Sequence, residues 1–162
     1  MRRVAAVAVL ALAAPLLAGC GASATHVRDI CRDVSSGTAA LAPVDPTRPV
    51  TALQYALGRF ALVEKAVSTA REASLPAADA GTLRRAWLDP AVASLAGWPI
   101  RLESLRVAAG ADDRARVATT LRAALAVGTE GVDRGALGRA GYGVCATAFT
   151  PPVPAGVGAP GA

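Results

Sequence analysis

Histidine, lysine and methionine each occur once in this 162-residue chain, as His26, Lys65 and Met1. One histidine excludes a haem with two histidine ligands or a His-rich zinc site within one chain. One methionine excludes a Met-rich copper site. Glutamate is also sparse: Glu64, Glu72, Glu103 and Glu130 are the whole set, and none forms the Glu-x-x-His pair of a di-iron bundle. No Gly-x-Ser-x-Gly elbow and no Gly-x-x-x-x-Gly-Lys loop occurs. Glycoside chemistry needs two acids in a cleft, usually with aromatic sugar platforms, and the adjacent Asp112-Asp113 are better explained by helix capping. His26, Asp29 and Asp33 fall near one turn, but Arg28 and Arg32 among them make a solvated polar face the better reading. A thiol–imidazole pair of Cys31 and His26 would need residues five apart to share a helical face, which they do poorly. These absences predict a protein that is not an enzyme and carries no metal or cofactor.

The chain is basic, with a formal charge of +5, yet the charge is spread thinly. Sixteen of its 17 basic residues are Arg, and no basic run is longer than Arg84-Arg85. No aromatic residues interleave with a basic stretch, so nucleic acid is not an expected partner. Mild attraction to anionic headgroups is the more economical use of such charge. The Ala-, Gly-, Val-, Pro- and Arg-rich composition suggests a GC-rich coding sequence.

At the N-terminus, Arg2 and Arg3 precede an apolar run from Val4 to Leu16, and Leu17-Ala18-Gly19-Cys20 closes it. This is the three-part layout of a secretory signal. The run is about 15 residues, short of the roughly 20 needed to cross a hydrocarbon core. Its end resembles the lipobox of bacterial lipoprotein precursors, of actinobacterial type given the composition. The resemblance covers residues 1–20 and implies cleavage before Cys20, with a diacylglycerol thioether on its sulfur. Acyl chains on that residue would hold the chain firmly at the outer face of the cell membrane. Loss of Arg2 and Arg3 leaves 15 basic residues against 12 acidic ones, a net +3.

Residues 20–25 read as a short tether, and 26–147 as one helical domain. Thr25 is a candidate cap for a first helix over 26–42, which Pro43 ends. A second helix over 50–74 carries Leu53, Leu57, Phe60, Val63, Val67 and Ala70 at steps of three and four. A third region breaks at Asp89-Pro90 and Gly97-Trp98-Pro99 into pieces at about 80–88, 90–96 and 99–109. The last long helix starts at Asp112-Asp113, and Gly131, Gly135, Gly138, Gly141 and Gly143 then loosen the chain. Residues 148–162, with four prolines, three glycines and no charged side chain, read as a disordered tail.

Two cysteines remain beyond Cys20. In an exported chain Cys31 and Cys145 are expected to bond, the other reading being two buried free thiols. A bond needs their Cα atoms within about 7 Å. That favours an even number of helical layers, so the expected fold is all-α: an antiparallel four-helix-type bundle with a broken third layer, its ends tied by the disulfide. Anchor, disulfide and tail root are expected at one pole.

Two functions fit these readings. One is a non-catalytic, lipid-anchored helical protein acting by contact with an envelope protein or the membrane, with Arg84, Arg85 and Trp87 as contact candidates. The other is a binding module that holds a small apolar ligand between helices near Trp87 and Trp98.

Overall fold

The computed structural model describes residues 23–152 and 154. Residues 1–19, Cys20 and most of the Pro/Gly-rich tail lie outside the described residues. The described chain is all-α, with no strand. Its elements are α1 (Ala24–Ala39), α2 (Val50–Glu72), α3 (Ala80–Leu83), a π-helical turn (Arg84–Leu88), α4 (Asp89–Leu95), α5 (Trp98–Gly110), α6 (Arg114–Leu125), α7 (Arg134–Arg139) and α8 (Gly143–Ala148). The four layers are α1, α2, the broken run from α3 to α5, and α6. Helix α8 folds back against the first of them, and α7 packs between α8 and the third layer.

Helix α2 is the spine. Its C-terminal half packs with α1, the π turn, α4, α7 and α8 around Trp87, Tyr142, Phe149 and Leu137. Its N-terminal half packs with α5 and α6 around Trp98, Leu105 and Leu121. The two helices α1 and α2 approach closely: a Cβ on Gly37 would stand 2.6 Å from Leu62.

Several boundaries depart from the sequence reading, each for a local reason. Ser23, not Thr25, caps α1, its side chain accepting from the His26 N–H at 3.2 Å. Capping two residues earlier satisfies an N–H that would otherwise have no partner. The buried stripe of α2 is Ala52, Tyr55, Ala56, Arg59, Val63, Ala66, Val67 and Ala70, so Leu57 is exposed and an arginine stands inside. Hydropathy alone could not place that arginine. The glycine-rich stretch is not loose: it forms α7 and α8 and buries Leu137 and Tyr142 completely. The packed body runs past 147 to Phe149, whose ring tilts against Trp87 at 5.0 Å between centroids.

The Cys31–Cys145 disulfide is formed, with Cα atoms 4.9 Å apart. It ties α1 to α8, as expected, while Cys20, the anchor placed at the same pole by the sequence reading, lies outside the described residues. Arg28 Nε donates to the Gly141 carbonyl, Cys31 bonds Cys145, and Thr38 shares Arg59 with Ala148. Those pairings step forward together, so α8 runs parallel to α1. Fourteen residues of helix, roughly 21 Å at 1.5 Å each, separate the start of α1 from Thr38, where the tail leaves.

Candidate functional site

The contact candidates Arg84, Arg85 and Trp87 all fall on the π turn. The turn has a chemical cause. Pro90 has no N–H, so it cannot bond the carbonyl of Ala86 four residues earlier. The Asp133 N–H takes that carbonyl at 2.8 Å. The Asp89 N–H reaches back five residues to Arg84. One extra residue in the turn thereby rotates Ala86, Trp87 and Leu88 inward and leaves Arg84 and Arg85 exposed. Such π segments are frequent at functional sites.

Beside the turn lies an open groove of about 500 Å³, lined among others by Ala70, Arg71, Leu75, Arg84, Leu88 and Val92. Ala70, Leu75, Leu88 and Val92 give it apolar lining, and Arg71, Arg84 and Asp89 bring charges of both signs. Arg84 therefore belongs to this hollow. Trp87 does not line it: the ring is fully buried beneath, in the cluster shared by α1 and α8. Trp98 lies in the other cluster, stacked on Phe60 with ring centroids 4.2 Å apart and planes 9° from parallel. The structure does not bring the two tryptophans together.

His26, Asp29 and Asp33 border a separate hollow of about 240 Å³ between α1 and α2. Asp29 is taken up by an ion pair with Arg32. No group of three or more metal-ligating side chains is assembled among the described residues. Among them no helix is long and apolar enough to cross a membrane.

The residue that sequence reasoning missed is Arg59. It is 3% exposed in the middle of α2. Its Nη1 donates to Thr38 Oγ1 at 3.0 Å and its Nη2 to the Ala148 carbonyl at 2.6 Å. Burial pushes its pKa down to about 10, against a smaller opposing influence of Tyr55. The one available signal was its spacing, seven residues after Ala52 and four before Val63 on the buried stripe.

No protein-family model matches the chain, and no curated protein or solved structure shows significant similarity to it.

Proposed function

We propose that the chain is a non-catalytic, lipid-anchored helical protein that works by contact with an envelope protein at the outer face of the cell membrane. Cys20 would carry the lipid. The observation that carries this reading is the cap at Ser23: α1 is capped three residues along the sequence from the lipobox-like cysteine. Three residues span at most about 11 Å. The start of α1 would then sit at the headgroups, and the groove beside Arg84 would be the surface offered to a partner. A groove that mixes apolar side chains with two arginines and one aspartate suits a protein segment of mixed apolar and charged character. The apolar-ligand reading would need one hollow touching both Trp87 and Trp98, and each ring is packed in its own cluster.

Two experiments test this reading. Metabolic labelling with a fatty acid in the producing organism should mark the chain, and Cys20→Ala should abolish both label and membrane association. A Cys20→Ala chain that stays labelled overturns the anchor. Site-directed photocrosslinking from Val92, which lines the groove, in the native envelope should trap a protein that is lost when Arg84 and Arg85 are both replaced by Glu. Equal trapping by the double variant would remove this face as the contact surface.

A further inference from the structure

We propose that the hollow around Arg59 is a binding site for a small oxyanion, a carboxylate or a phosphate. The inference does not depend on the lipid anchor. The observation beneath it is a buried cation without an anion: no described carboxylate forms an ion pair with Arg59. A guanidinium carries five N–H donors in a flat fork. Thr38 and the Ala148 carbonyl take two of them, and Nε is buried with no partner at all. A buried charge left in this state is costly, and buried arginines are normally matched by carboxylate or phosphate.

The surroundings fit a ligand. Arg59 borders an open hollow of about 300 Å³, and Ser35, Thr38, Thr147 and Thr150 ring it with hydroxyls. Each hydroxyl donates to the carbonyl of the preceding turn. The bonds of Ser35 to Cys31 and of Thr147 to Gly143 are long, at 3.4 and 3.2 Å. Bonds that long are weak and can be redirected toward an entering oxygen at little cost. The C-terminal carbonyls of α8 compensate part of the charge, since Arg59 caps Ala148. They leave the unpaired Nε unserved. The parallel run of α8 along α1 puts this hollow at the far end of α1 from Ser23, so the site is turned away from the proposed anchor.

The test is a titration of the full, oxidised, ¹⁵N-labelled chain, read at the Arg59 Nε–H resonance. The probes are inorganic phosphate, acetate and chloride at matched ionic strength, with phosphatidylglycerol vesicles as a separate arm. A saturable shift with phosphate or acetate but not chloride is expected, and the stronger of the two identifies the ligand class. Ser35→Ala and Thr147→Val keep Arg59 and its structural bonds, and each should weaken binding by up to about tenfold. A response to vesicles but to neither free ion supports the site and assigns its oxyanion to a lipid phosphate. No saturable shift with any probe, or equal shifts with chloride, would overturn the proposal and leave Arg59 a clamp on α8. Affinity unchanged in both hydroxyl variants would overturn it as well.

Discussion

Tyr142 donates its phenolic hydrogen to Asp79 Oδ2 at 2.7 Å, joining residues 63 apart in the sequence. Arg28 lies over the same ring, 5.4 Å from its centroid. One side chain thus holds together the start of α1, the approach to α3 and the approach to α8. Burial first, then the bond and charge of Asp79, push the Tyr142 pKa up to about 12. An unfolded phenol ionises near 10. The native state therefore holds its proton longer than the unfolded state. The contribution is complete below about pH 10 and is lost as pH rises through about 12. Tyr142→Phe should cost about 1–2 kcal/mol at neutral pH, measured by urea unfolding. It should also flatten the decline in stability between those two pH values. An unchanged alkaline decline would place its cause elsewhere.

Reduction of the disulfide should be the largest single loss. The bond spans a sequence separation of 114 residues. On the chain-entropy model a loop of that length contributes about 4–5 kcal/mol. Unfolding with and without reductant, alongside the double variant Cys31→Ser with Cys145→Ser, measures it. Agreement between the reduced chain and the double variant is expected.

Trp87 separates volume from hydrogen bonding. Its indole Nε1 is buried with no acceptor. Trp87→Ala empties a fully enclosed site and should cost about 3–5 kcal/mol. Trp87→Phe keeps a ring against Phe149 and gives up no hydrogen bond, so its cost should be less than half of that. Equal costs in calorimetry would mean that the indole N–H has a partner in solution.

Gly128 has φ +77°, and its N–H donates to Ser94 Oγ at 3.0 Å. A Cβ there would run into Val63 of the spine helix. Gly128→Ala should therefore destabilise by about 2 kcal/mol or more, from the left-handed backbone together with the collision. Gly110 has open space where a Cβ would go and no such backbone. Gly110→Ala should be neutral or slightly stabilising, and the difference between the two midpoints checks the argument.

The breaks of the third layer were legible because proline acts locally. Pro90 and Pro99 each stand at the start of a helix, as their missing N–H demands. The pairing of Cys31 with Cys145 was legible from the count, since two cysteines remain beyond Cys20. The rest depended on contacts that no local pattern encodes. Gly135, Gly138 and Gly143 suggested slack, yet Leu137, Tyr142 and Cys145 between them pin the segment into the core. Arg59 broke the apolar stripe of α2 and so misplaced its buried face by one position toward Leu57. The π turn could not be read from Arg84 or Arg85. It follows from Pro90 together with a carbonyl partner, Asp133, that arrives from far along the chain. The sequence named Arg84, Arg85 and Trp87 as contact candidates, while their sharing of one π turn and the groove beside Arg84 exist only in three dimensions.

The covalent loop between Cys31 and Cys145 encloses the loop at 43–49, the exposed arginines and every helix from α2 to α7. A protease that cuts once anywhere inside it opens a ring without releasing a piece. The nicked chain keeps its mass and runs as one species on a non-reducing gel. Only a thiol reagent separates the halves. In an oxidising environment the protein can thus be clipped at an exposed loop and still present both flanking faces on one molecule.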